Sequence, residues 1–173
     1  MAGSLILIQE TTVSSATASV SLTGIDSTYD VYKLIATNVV PVDTNKYFFL
    51  RFTESGTPNT TSNYDRANKT FTAGATFGNN ANTNEDKTEL TWQQSNTSTQ
   101  SSQNICYIFN ANNSSEYTFL TLENVGYETS VGQYLGRAGG AVFTVTSAVD
   151  GVNLFFDSSN IASGTFKLYG IKK

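Results

Sequence analysis

Apolar and polar residues alternate along this chain with the period of a β-strand, and no window carries the stripe of an amphipathic helix. Ser4–Glu10 is rich in Leu and Ile and reads as a first strand. Ala18-Ser19-Val20-Ser21-Leu22 alternates small or polar with apolar residues before a Thr23-Gly24 turn. Tyr29–Ala36 and Tyr47–Thr53, full of aromatic and branched side chains, predict the strongest strands of the N-terminal half. Asn38–Asn45, with Pro41 and Asp43, predicts a hairpin loop between them. Glu54–Asn68 reads as a long loop, and Thr70–Phe77 and Glu89–Gln93 as weaker strands separated by the polar, Asn-rich Gly78–Lys87. Beyond a second polar tract at Ser95–Asn104, the signal strengthens over Ile105–Phe109, Tyr117–Leu122, Ala141–Thr146, Val152–Phe156 and Thr165–Ile171. Asp150-Gly151, between Phe143-Thr144-Val145 and Val152–Phe156, is the best tight-hairpin signal.

About ten short strands around one core predict an all-β fold with little or no helix. The expected form is an antiparallel two-sheet sandwich of jelly-roll type, with a closed barrel of about eight strands as the alternative. A length of 173 residues without a composition break predicts a single domain, 1–173, large enough to bury a core without metals or disulfides.

Composition narrows the partners. Charged residues are 14% of the chain, against about 25% in an average soluble domain, and Ser, Thr and Asn take their place. Such a surface packs against copies or partners without strong charge repulsion. A net charge of −4 and no basic run longer than Lys172-Lys173 exclude the basic stripe that nucleic acid requires. The opening Met1–Ile8 lacks a basic start, and its apolar stretch ends at Gln9-Glu10, short of the roughly 7–15 apolar residues of a signal peptide. No stretch approaches the ~18 apolar residues of a membrane span. The expectation is a chain made in a cytoplasm, with no export signal and no membrane partner.

Histidine is absent, which removes His-based triads and the commonest general base and metal ligand. Cys106, the only cysteine, sits in the apolar run Ile105–Phe109 and predicts a buried, inert thiol. Glu85, Asp86 and Glu89 cluster, but Lys87 lies among them and the segment reads as a solvated loop, not a catalytic carboxylate pair. The Asn- and Asp-containing loops lack the spacing of a calcium loop. No enzyme, cofactor or metal site is expected. Asn63-Tyr64-Asp65-Arg66 admits two readings: a glycan site in which Tyr64 stacks on a sugar with Asn63, Asp65 and Trp92 nearby, or a loop pinned by a core Tyr and an Arg–Asp pair. The second is the simpler, as is a core or sheet-face role for Trp92, the one tryptophan. Phe48-Phe49 and Phe155-Phe156 place one aromatic of each pair outside the core, in need of cover by a loop or by another subunit.

Four stretches form a pattern: Gly3–Ile8; Asp26-Ser27-Thr28-Tyr29-Asp30-Val31-Tyr32-Lys33; Ser55-Gly56-Thr57-Pro58 with Asn63-Tyr64-Asp65; and the ending Ile161-Ala162-Ser163-Gly164-Thr165-Phe166-Lys167-Leu168-Tyr169-Gly170-Ile171. This pattern resembles small β-sandwich virion-associated structural proteins of marine tailed bacteriophages, with the closing strand as its most specific part. The resemblance implies a viral structural protein: a capsid decoration (cement) protein or head-fibre subunit, homo-oligomeric with a trimer among the forms it admits, whose partners are phage capsid or tail proteins. Its alternative is a tail-fibre adhesin for host polysaccharide, using Asn79–Asn84 and Asn110–Asn113 beside Tyr64 and Trp92. The motif residues look like fold determinants, and no catalytic or ligand residue is carried over.

Overall fold

The computed structural model describes residues 4–172; Met1–Gly3, where the segment weighed as a leader begins, and Lys173 of the C-terminal basic pair lie outside the described residues. The strands are β1 (Leu5–Val13), β2 (Ser19–Thr23), β3 (Val31–Pro41), β4 (Lys46–Glu54), β5 (Thr57–Pro58), β6 (Tyr64–Thr72), β7 (Phe77–Glu85), β8 (Thr88–Gln94), β9 (Ser102–Phe109), β10 (Thr118–Glu128), β11 (Gln133–Phe143), β12 (Gly151–Phe156) and β13 (Ile161–Ile171). A single 3₁₀ turn at Ser98–Gln100 is the only helical element among the described residues. The all-β expectation holds, and every strand pair is antiparallel.

The main path runs β1-β13-β3-β9-β10-β8-β4-β12-β2. Its two ends meet: the Thr23 amide of β2 donates to Gln9 Oε1 of β1 at 2.7 Å, and Thr17 bridges Ile161 of β13. The sheet is therefore nearly closed and barrel-like. A flap leaves this path where β10 also pairs with β11, which pairs with β6, which pairs with β7.

Alternation explains the core. In β3 the inward Tyr32, Leu34 and Ala36 are buried, as are Cys106 and Ile108 of β9, Leu120 and Leu122 of β10, and Phe166 and Leu168 of β13. They meet Phe48, Leu50 and Phe52 of β4 and Leu154 and Phe156 of β12 in one cluster. Phe48 stacks obliquely on Phe156 at 4.9 Å and reaches Phe166 across the core at 6.4 Å. Each such side chain stabilises the fold by roughly 1.5–3 kcal/mol over its exposed state. The outward partners Phe49 and Phe155 face each other at 5.7 Å, with Lys87 Nζ 5.0 Å over Phe49 and the Arg51 guanidinium 4.6 Å over Phe155. The cover those aromatics need comes from cations of the same chain.

Two expected hairpins do not form. β3 pairs with β13 and β9 while β4 pairs with β12, β8 and β5, so Val42–Asn45 crosses between distant strands instead of turning back, and β3 runs on through Pro41. Likewise β12 pairs with β4 and β2, not β11. Asp150 serves instead as a junction: its carbonyl accepts from the Gly24 and Ile25 amides, and its carboxylate accepts from Thr53 Oγ1 at 2.6 Å and from the Gly56 amide at 2.7 Å. Gly151 is required by close approach, since a Cβ there would sit 2.4 Å from the Leu22 carbonyl oxygen.

Segments of the quoted pattern touch. The Tyr29 ring lies on the Cα of Gly170, where any Cβ would fall 2.3 Å from it, and Gly170 pairs with Tyr32. The Tyr32 hydroxyl accepts from the Asp26 amide at 2.8 Å and donates to the Asp26 carbonyl at 2.6 Å. Tyr64 does the same for β4: the Phe52 amide donates to its hydroxyl at 3.0 Å, and the hydroxyl donates to the Asn59 carbonyl at 3.2 Å. Phe52 lies beyond the last residue that β8 pairs on β4, Leu50, so the phenol replaces a missing strand.

Tyr64→Phe keeps the ring but strands the buried Phe52 amide, so it should destabilise the protein by about 1–3 kcal/mol in urea unfolding. Unchanged stability would show that the hydroxyl is dispensable. Burial pushes the Cys106 thiol up to about 12. The native protein should therefore not react with a thiol reagent at pH 8, and one thiol per chain should appear only on unfolding. Because the folded pKa is the higher one, this group's contribution to stability is complete at neutral pH. It declines as pH rises past the unfolded thiol's value of about 8.5.

Candidate functional site

The residues first considered for sugar binding do not converge. Tyr64 is buried with both hydroxyl bonds used, and its ring packs on Phe143 at 4.8 Å and Phe52 at 6.2 Å, so no ring face is left for a ligand. Asp65 points the opposite way along β6 and accepts the Asn84 amide at 2.8 Å. Asn63 is engaged with Thr61. Trp92 is half-buried under the Arg137 guanidinium, 4.4 Å from its centroid. The core-Tyr reading of this segment holds, whereas the expected Arg–Asp pair does not: Arg66 turns inward to Glu89.

That pair belongs to a buried ionic layer. Arg66 of β6 and Arg137 of β11 project from the inner face of the flap onto Glu89 of β8, with Arg66 Nη2 3.1 Å from Oε2 and Arg137 Nη1 2.5 Å from Oε1. All three side chains are almost fully buried. Glu89 is thus not part of a solvated loop; its neighbour Asp86 is, partly exposed and held by Arg51 and by Lys87 Nζ at 2.5 Å. Burial pushes the Arg137 pKa down, and Glu89 opposes that shift. Asn124 of β10, the strand from which the flap departs, adds a bond from its amide to the Leu90 carbonyl of β8. Asn68, Thr70, and Nε and Nη2 of Arg137 are buried here without a protein partner, which leaves a polar interior where most of the fold has an apolar one. Sequence reading missed this layer because its signal is inverted: β6 buries Arg66, Asn68 and Thr70 on the alternating positions where a strand normally buries apolar residues.

β3, β9, β10 and β11 are hydrogen-bonded neighbours, so on the side away from the ionic layer they present one continuous outer face. Strand register places Val31, Phe109, Phe119 and Val142 side by side on it, and Leu5 beside Ile171 extends the line through β13 to β1. All are half-buried or exposed, with Phe119 46% and Leu5 48% accessible. The next row carries Leu7, Tyr169, Lys33, Tyr107 and Thr121, with Lys33 Nζ 5.1 Å over Tyr107. Beyond it lie Ile35 and Ile105, flanked by Glu10 paired with Lys167 at 3.3 Å. Six strands about 4.8 Å apart make the apolar row roughly 24 Å long, the dimension of a protein docking surface more than of a small-molecule pocket. Singly exposed apolar residues are ordinary, but an aligned row is not.

Among the described residues, no three Asp, Glu, Cys or His side chains converge to hold a metal ion. A polar cleft of about 340 Å³ is lined by Asp26, Tyr29, Asp30 and Asn110–Ser114.

Replacing Glu89 by Gln leaves Arg66 and Arg137 buried against each other without a counter-charge. It should destabilise the protein by about 3–5 kcal/mol, whereas the triple replacement Arg66→Met, Glu89→Leu, Arg137→Met should recover most of that loss. Equal unfolding midpoints for wild type and Glu89→Gln would show that the layer does not hold the flap. No family model, no curated protein and no solved structure matches this chain.

Proposed function

We propose that this chain is a structural protein of a tailed-phage particle, a capsid decoration or head-fibre subunit that binds the coat. It acts by adhesion and not by catalysis. The observation that carries the reading is the apolar row Val31–Phe109–Phe119–Val142 on the outer face, set in a surface with few charges. The resemblance of the four quoted segments supplies the class of particle. Coat binding would bury that row, with a polar rim of Lys33, Thr121 and Glu123 around it.

A jelly-roll sandwich is the finer form of the fold that we infer. Setting aside the insertions β5–β7 and β10–β11, the remaining eight strands follow two runs, β1-β13-β3-β9 and β2-β12-β4-β8. In each run an early strand lies beside a late one, the wrapping of two Greek keys that folds a long hairpin into two sheets. β8 touches β10 through one residue pair, Gln94 with Glu128, which is where one sheet would give way to the other.

A second reading, a tail-fibre adhesin for host polysaccharide, finds its support away from Tyr64 and Trp92. The cleft between Asp26–Asp30 and Asn110–Ser114 combines acidic and amide groups with the Tyr29 ring. A glycan array with the isolated chain distinguishes the two, since adhesion to a coat predicts no glycan signal.

Phe119→Glu alters an exposed position and should leave thermal stability within about 2 °C. Co-sedimentation of the chain with particles that lack it should nevertheless weaken at least tenfold, as expected for loss of an apolar anchor. Undiminished co-sedimentation, or purified particles carrying the chain only as a few copies at the tail, would overturn coat decoration.

A further inference from the structure

We infer that two copies of this chain join edge to edge through β7, continuing the flap sheet across a two-fold axis. β7 pairs on one side with β6 and has no strand on its other side. It is the exposed edge of the flap, nine residues long. Of the other terminal strands, β1 and β2, the ends of the main path, face each other through the Thr23–Gln9 bond, and β5 is only two residues long.

Alternation in the hairpin tells which backbone groups are free. The Thr72 amide donates to the Thr76 carbonyl at 3.0 Å, closing the β6–β7 turn. Counting outward from that bonded pair, Thr70–Gly78, Asn68–Asn80 and Arg66–Asn82 are the pairs that exchange hydrogen bonds. Phe77, Asn79 and Ala81 therefore turn their N–H and C=O groups away from β6. They form an unused ladder of the kind another strand completes.

Soluble proteins blunt such an edge with proline, lysine, an inward charge or a bulge in mid-strand. β7, FGNNANTNE, has no proline and no basic residue, and its one charge, Glu85, is its last residue. The irregularity in its pairing falls between Tyr64 and Arg66 on β6, near the far end, so Phe77–Asn82 keeps unbroken register. An uncharged strand meets its own copy without repulsion, and an antiparallel encounter of identical strands is self-complementary about a two-fold axis. Its asparagines supply side-chain amides that donate and accept across the new pair. Phe77 is 73% exposed at the start of β7 and packs edge-on against Phe71 at 5.9 Å, so each end of the joined ribbon gains an aromatic pair to cover. These features favour a second copy over a charged or proline-rich partner. The pairing is two-fold, so it accounts for dimers and not for trimers.

The test uses the full chain in isolation, without particles, so its outcome is separate from that of coat binding. Sedimentation velocity at on the order of 10 µM should show two copies per species. Asn79→Pro removes an outward amide that β6 does not use and should give a single copy with its thermal unfolding retained. Ala81→Lys, which keeps every amide and adds an edge charge, should do the same if the proline variant fails to fold. Amide exchange at Phe77, Asn79 and Ala81 should be at least tenfold slower in the wild type than in either monomeric variant. A wild-type chain that stays monomeric, a dimer that persists in Ala81→Lys, or β7 amides that exchange as fast in the wild type as in the variants would each overturn the inference.

Discussion

Glu89 is the residue on which the outer half of the molecule depends. Its two carboxylate oxygens take an arginine each, from β6 and from β11, and no other ion pair among the described residues links the flap to β8. Desolvating three charges is costly, and an apolar layer of equal volume would often be as stable. What the ionic version adds is direction. Arg137 must lie over Trp92 to reach Oε1, and Arg66 must reach Oε2 while bonding Asn80 of β7, so the flap has one seating and not a family of them. Tyr64 and Phe143, the pair at the end of the same two strands, then pack into the main core beside Phe52. Apolar packing and ion pairing thus share the same β6–β11 ribbon, the first at one end and the second at its middle.

This division explains which parts of the fold were legible in the sequence. Strands that bury apolar side chains on alternate positions, such as β3, β9, β12 and β13, could be read at their apolar centres, although β3 runs five residues past its expected end and β13 begins four before its expected start. β6, β7 and most of β11 could not. β6 buries Arg66, Asn68 and Thr70; β7 is almost wholly polar; and β11 carries Gly136, Gly139 and Gly140 where a strand usually carries branched residues. Gly139 is there because the β6 backbone comes too close for a Cβ, which would lie 2.4 Å from the Ala67 carbonyl oxygen. Hydrophobic periodicity has no means of marking a strand whose buried face is ionic on one side and bare backbone on the other. The glycan-type cluster failed for a related reason: residues adjacent in sequence point to opposite faces of a strand, so Tyr64 and Asp65 are never on the same surface.

Both misread turns teach the same lesson about distance. Asn38–Asn45 and Asp150-Gly151 have the composition of hairpin loops, yet the strands they join pair elsewhere. Turn chemistry reports only that the chain changes direction. Partner choice comes from burial, and here the last long strand, β13, lies between the first and the third. Asp150 shows why the turn residues are nonetheless needed, since its carbonyl and carboxylate satisfy amides from the Gly24 and Gly56 turns and the Thr53 hydroxyl of β4 at one point. A hairpin signal and a junction signal are alike in sequence because both need a small, polar residue beside a glycine.

Such wrapping leaves few loose edges, which makes the exceptions informative. On the main path the ends close on each other, and the outward aromatics Phe49 and Phe155 are capped by Lys87 and Arg51. The flap has neither device. Its last strand carries an unprotected ladder, and its β11 continues through Val142 the apolar row of β3, β9 and β10, so Glu89, which holds the flap from within, positions both. A chain that spends three buried charges to seat a flap, yet leaves that flap's face and edge uncovered, is organised as a subunit: under the proposed function, the ionic layer is internal scaffolding for surfaces that other chains complete. The row lies on Val31, Phe109, Phe119 and Val142 and the free ladder on Phe77, Asn79 and Ala81, so coat binding and self-pairing would not compete for the same residues.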